Sequence, residues 1–220
     1  MGNGESRQRV IRELTQLYLN TGEHTRALEV IETVPNIYGS KEILKAKAVD
    51  GKKRAEAYGE ALLKTVIACS ELMVSGVIAC EKNMSNADKI QGLRGAIEIF
   101  NLICTDGNCV MHHVYIARVY SFLSLYLWLD GRKDEAFEAL DNSLVQFKLY
   151  NDYRTNGECY TAPLVHLVRH EKAYFDQPIE TSNMSLANDW PWWSVQEYSL
   201  VKDEIQSDPR WNEWVSKLQQ

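Results

Sequence analysis

Apolar residues recur along the first 150 positions in steps of three and four, the spacing of one helical face. Ile11, Leu14 and Tyr18 keep this step within residues 6–20, and Ala27 and Ile31 keep it within residues 24–34. Val34-Pro35 closes the second of these helices, because a residue preceding proline avoids helical geometry. Ser40 can cap a short helix through Ala48, which Asp50-Gly51 breaks. Residues 53–80 read as one long helix with Ala57, Ala61, Leu62, Val66, Cys69, Leu72 and Met73 on one side. Ser85 and Asp88 have the spacing of a capping-box variant, ahead of Ile90, Leu93, Ile97, Phe100 and Cys104. After a turn at Asp106-Gly107-Asn108, residues 110–130 form a strongly apolar and aromatic helix, and residues 133–150 its partner. No alternation of period two is long enough for a sheet, so the pattern predicts an all-α fold.

Past residue 150 the pattern loosens. Tyr160-Thr161-Ala162-Pro163-Leu164-Val165 is expected to open a short helix, and residues 176–189 to form a loop rich in Ser, Asn and Asp. Asp208-Pro209 is a good helix start, Asp as cap and Pro in the first position. Trp211, Trp214, Val215 and Leu218 then make one stripe. Such a Trp-rich C-terminal helix is expected to cap the open apolar end of the array, since terminal repeats must be covered. Pro35 alone precedes residue 163, whereas glycine stops at Gly157. The expected organisation is therefore a polar tail or cloning scar at 1–5, a helical array at 6–150, and a C-terminal helical cap at 151–220.

Two stretches of the array are copies of one another. Gly22 and Ala27 have the spacing of Gly131 and Ala136, each Gly closing one helix and each Ala opening room for close approach of the next. Ile11, Leu14, Tyr18 and Ile31 align with Tyr120, Leu123, Leu127 and Leu140. The six shared positions resemble the tetratricopeptide repeat, a unit of about 34 residues made of two antiparallel helices. The implied architecture is a stack of helical hairpins, an α-solenoid.

Composition narrows the function. The chain is 45% hydrophobic and 25% charged with a formal net charge of -6. A nucleic-acid-binding domain carries a basic footprint, and none is visible here, so direct contact with DNA or RNA is not expected. No apolar run reaches the roughly 18 residues of a membrane span, nor does the start resemble a signal peptide. Five cysteines without framework spacing (Cys69, Cys80, Cys104, Cys109 and Cys159) read as reduced thiols of a cytoplasmic protein.

Several features together resemble one family. These are Gly22-to-Ala27, the long middle helices, Asp106-Gly107 before His112-His113, Gly131-to-Ala136, Tyr160-Thr161-Ala162-Pro163-Leu164, and Ser207-Asp208-Pro209-Arg210-Trp211. They are similar to the carboxy-terminal tetratricopeptide-like domain of bacterial transcription regulators of the Xre (Cro/repressor) type. The resemblance implies a regulatory domain that serves an amino-terminal helix-turn-helix reader of about 60 to 70 residues, the size of a minimal domain. Residues 6–34 already form a repeat, so that reader is not expected within this chain.

Candidate chemistry is sparse. Cys104, Asp106, Cys109, His112 and His113 are the only metal-like cluster, but Cys-x4-Cys with two adjacent histidines is not a recurrent zinc spacing, and adjacent helical residues point about 100° apart. A helix entry with a buried histidine accounts for it. His166 and His170 stand at i and i+4 with Glu171 adjacent, without a nucleophile spaced to pair with them, and an exposed helix surface is the simpler reading. Phosphate-cradling Gly-rich loops are absent. The expectation is a non-enzymatic domain with no metal and no cofactor.

In tetratricopeptide repeats the first helix of each hairpin lines the concave face. That register puts Arg12, Gln16 and Asn20 in the groove of the first hairpin, and Arg118, Ser121, Leu125 and Trp128 in that of the second. An Arg-plus-aromatic groove suits a short peptide or a partner helix, while Leu125 and Trp128 read equally well as core beneath a neighbouring helix. The residues do not match the Lys/Asn clamp used for peptide carboxyl termini. Trp190, Trp192, Trp193, Trp211 and Trp214 are either core that pins the tail or an exposed binding patch. The expected partner is a peptide or protein in the groove, with no nucleic acid and no membrane, and a homodimer is left open. A stand-alone scaffold that mediates assembly is the alternative.

Overall fold

The steps of three and four become helices, and no strand occurs among the described residues. The computed structural model describes residues 2–33, 40–79, 83–156, 159–168 and 199–218. Among them run α1 (Gly2–Asn20), α2 (His24–Glu32), α3 (Ser40–Lys47), α4 (Gly51–Ala79), α5 (Asn86–Asn101), α6 (His113–Leu129), α7 (Lys133–Asn156), α8 (Ser199–Ser207) and α9 (Pro209–Leu218). The fold is all-α. Residues 2–5 belong to α1 rather than to a polar tail. The segment from Tyr160, expected to open a short helix, makes consecutive turns instead, closed by Val165 N–H to Ala162 O and Val168 N–H to Val165 O. Pro35, the loop at 176–189, and Trp190, Trp192 and Trp193 lie outside the described residues.

The two sequence copies form the same turn, bond for bond. Gly22 and Gly131 adopt φ of 75° and 78°, the left-handed geometry that ends a helix without strain only at glycine. Glu23 N–H reaches Tyr18 O in one copy and Arg132 N–H reaches Leu127 O in the other, at 2.8 and 2.9 Å. Gly22 N–H to Leu19 O and Ala27 N–H to Glu23 O are matched by Gly131 N–H to Trp128 O and Ala136 N–H to Arg132 O. Ala27 and Ala136 are both fully covered, as the requirement for a small side chain demands.

The chain divides into two compact units, residues 1–67 with 160–169, and residues 68–159 with 170–220. This division differs from a boundary at 150, because it falls inside α4 and assigns the turns near Val165 to the first unit. In that unit α1 packs on α2 and α2 on α3. Glu32 of α2 takes Lys41 and Lys45 of α3 at 2.6 Å each, and His24 Nδ1–H donates to Ala48 O. Gly59 of α4 meets Val168 and Leu164 O so closely that a Cβ there would lie 2.6 Å from Val168 Cγ2.

In the second unit α6 is the central element, packed on α5, α7 and α8. Twelve of its residues are buried from His113 to Trp128, as expected of a helix that is apolar nearly all round. Ser143 of α7 donates to Ala117 O and shares a bond with Ser121 Oγ, so these two buried serine hydroxyls at the α6–α7 seam are satisfied. Ser85 caps α5 by accepting from Asp88 N–H, and its own hydroxyl donates to the Asp88 carboxylate, which confirms the capping-box spacing. Trp211 and Trp214 of α9 are buried with ring centroids 5.1 Å apart, and Lys217 pairs with Asp141 of α7.

By length and composition α4 is apolar enough to cross a membrane, with a window of mean hydropathy 1.7 that is 28% buried. This corrects the expectation that no apolar run is that long; Lys64 and Glu71 had concealed it by interrupting the apolar residues. Its buried positions Leu63, Val66, Ser70, Val74 and Val77 step by three and four, the mark of one covered face.

Candidate functional site

Helix α1 carries two polar residues, Arg12 and Gln16, one turn apart on the side that meets α3. Between these helices lies a cavity of about 230 Å³, lined by Arg12, Thr15, Gln16, Leu19, Ile43, Leu44 and Lys47. Leu19, Ile43 and Leu44 give it apolar wall. Arg12 and Lys47 give it two cationic groups, neither in an ion pair among the described residues. Thr15 is fully buried behind this lining and its hydroxyl has no hydrogen-bond partner among the described residues. Gln16 Nε2 donates to Asn20 Oδ1 at 2.9 Å, which leaves the Gln16 carbonyl as an acceptor beside the cavity. Asn20 itself is exposed and outside the lining.

The other four groove residues expected from the register do not assemble into a site. Ser121 is buried and bonded to Ser143, Leu125 is fully buried, and Trp128 is 5% exposed with its indole N–H donated to Glu204 of α8. Arg118 is half-buried with its guanidinium 5.8 Å from the Phe122 ring. The physical reason is coverage. Ser121, Leu125 and Trp128 are the repeat equivalents of Arg12, Gln16 and Leu19, and in the second hairpin α7 and α8 close over the face that stays open in the first.

The second unit has its opening elsewhere, a cavity of about 330 Å³ among α5, α6 and α7. Its floor is Ile97, Leu123, Leu127 and Ala139, and its rim Glu98, Glu135, Glu138, Arg94, Tyr120 and Asn142. Arg94 pairs with Glu135 at 2.9 Å, and Arg132 clamps the same carboxylate, holding it below the ordinary range. Burial pushes the Tyr120 phenol up, aided by Glu98 and Glu138. Neither lining contains a serine, cysteine or histidine.

The metal-like cluster resolves differently. Among the described residues no three His, Cys, Asp or Glu are placed to hold an ion. His113 accepts Cys109 N–H at Nε2 and pairs through Nδ1 with Gln146 Oε1 at 2.7 Å, so both ring nitrogens are used. Val110, just after Cys109, has φ of 49°, strained for a β-branched residue and held by complete burial. His166 is exposed and bonds Pro163 O, while His170 and Glu171 lie outside the described residues.

Thr15, Lys47 and the α5 face were not legible in the sequence. They belong to cavities formed by non-consecutive helices, and the only available signal was the polar step Arg12–Gln16 on an otherwise apolar helix face. No protein-family model, curated protein or solved structure matches the chain.

Proposed function

We propose that the chain is a non-enzymatic, tetratricopeptide-like domain that binds a peptide or protein segment in the α1–α3 groove. The observation that carries this reading is the lining of that groove, where Arg12 and Lys47, two cations without ion pairs among the described residues, and the Gln16 side chain stand beside apolar wall. A peptide supplies the matching set, backbone and side-chain oxygens beside apolar side chains. The duplicated turn at Gly22 and Gly131 supports a stack of like hairpins, and the buried Trp211 and Trp214 support a capping role for α9. In this reading the domain is cytoplasmic and touches no nucleic acid itself.

The link to transcription rests on the resemblance to Xre-type regulators. Ligand in the groove changes the spacing of α1 and α3, and the change passes to an attached DNA-binding domain. The reading frame upstream in the gene tests this link. A helix-turn-helix domain encoded in frame supports the regulator, and its absence moves the weight to a stand-alone scaffold. Val10 and Leu17, 61% and 56% exposed and two turns apart on one face of α1, favour that second reading, because an exposed apolar face suits assembly with another chain.

A further inference from the structure

Helix α4 is one continuous helix that is covered along one side. Leu63, Val66, Ser70, Val74 and Val77 are its buried positions, and at 100° per residue they point the same way. The opposite side carries Tyr58, Ala61, Thr65, Ala68, Leu72 and Ser75, in alternating steps of three and four. Ala61 is half-buried and the other five are exposed, Leu72 at 74%. The outer face of a helix in water normally carries charge, and one that is apolar all round is normally buried. Here the most apolar window of α4 is only 28% buried. The ions that flank the outer face are Lys64 and Glu71, both along the same edge, while the other edge carries Leu62, Cys69 and Gly76.

We propose that this face is an interface between two copies of the chain, an antiparallel α4–α4 pair about a twofold axis. Charge complementarity chooses both the partner and its direction. Lys64 and Glu71 are opposite charges one heptad apart on one edge, and in an antiparallel pair like edges meet. Lys64 then lies against the partner's Glu71, and Glu71 against the partner's Lys64. A parallel pair would set Lys64 against the partner's Cys69 and leave both charges without a counterion across the seam. Shape points to the same register. It sets Leu72 opposite the partner's Ala61, Tyr58 opposite the partner's Ser75, and Thr65 opposite the partner's Ala68, a larger side chain against a small one in each layer. Within one chain Lys64 reaches only Glu60, at 3.9 Å, and Glu71 has no ion pair among the described residues. A self-complementary face closes at two copies, so it makes a dimer and not a filament. It shares no residue with the α1–α3 groove, so either reading can fail alone.

The test is the mass of the full chain by sedimentation velocity over a concentration series. The expected result is a reversible equilibrium between monomer and dimer. Leu72→Glu changes an exposed position and should raise the dissociation constant at least about tenfold. Lys64→Glu or Glu71→Lys alone sets like charges across the seam twice and should weaken the dimer about tenfold. The two exchanges together should return it to within about threefold of the original. That return requires an antiparallel pair and excludes loss of fold as the cause of the single effects. A chain that stays monomeric at every soluble concentration overturns the proposal. If that monomer floats with phosphatidylcholine vesicles, the face belongs to lipid and the proposal is equally overturned. So it is by a dimer that Leu72→Glu leaves intact, or one that the paired exchange does not restore.

Discussion

Gly131 shows how much one position can specify. Its φ of 78° is reserved for glycine, and a Cβ there would meet nothing within 4 Å. The cost of Gly131→Ala is therefore backbone strain alone, about 1–2 kcal/mol, which urea unfolding should read as a lower midpoint at unchanged slope. Gly59 is the opposite case. Its backbone is ordinary helix, where Ala would gain about 1 kcal/mol in propensity, but the new Cβ would lie 3.1 Å from the Leu164 carbonyl oxygen as well as against Val168. Overpacking costs roughly 1–3 kcal/mol, so Gly59→Ala should be neutral to destabilising, without the gain an exposed helical site would show. The same unfolding measurement checks it. Sequence pattern exposed the Gly131 requirement through its copy at Gly22, but the Gly59 contact joins residues a hundred positions apart and leaves no local trace.

Among the elements, α9 illustrates a charge-dependent attachment. Asp208 caps it by accepting from Arg210 N–H, and Arg210 in turn reaches Asp134 of α7 and stacks over Phe137. The hydrogen bond from the Arg210 side chain holds the Asp208 carboxyl down to about 2, from an ordinary 3.8. A folded value below the unfolded one means stability present above pH 4 and lost as pH falls from about 4 to 2. Glu32, held to about 2 from 4.5 by Lys41 and Lys45, behaves alike in the α2–α3 pair. Tryptophan fluorescence from Trp211 and Trp214 should therefore change over that window at low salt, and Asp208→Ala should already show the detached signal at pH 7. An unchanged spectrum down to pH 2 would contradict the attachment. Helix extents were readable from period and caps, as at Ser85 and Asp50-Gly51. The exposed face of α6 was not, because a helix apolar all round gives no moment by which to choose a face. That is why Ser121, Leu125 and Trp128 read as groove and proved to be covered.

At the scale of the molecule, one hairpin motif serves two ends. In the first unit its α1 face meets α3 across an open, cationic cavity, and in the second its equivalent is sealed by α7 and α8 while an acid-rimmed cavity opens towards α5. The all-α class and the duplicated turn were legible in the sequence because both are local. The cavities were legible only in part, through Arg12 and Gln16, since Lys47, Ile43 and Leu44 reach them by the packing of a separate helix. The most direct measurement is selection of a random peptide display library on the full chain, with Arg12→Glu/Lys47→Glu as the counter-target. The account predicts enriched peptides that bind the wild-type chain and lose at least about tenfold in affinity on the variant, the loss of one or two charge-assisted hydrogen bonds. Peptides that bind both chains equally, with the variant folded by circular dichroism, would contradict it.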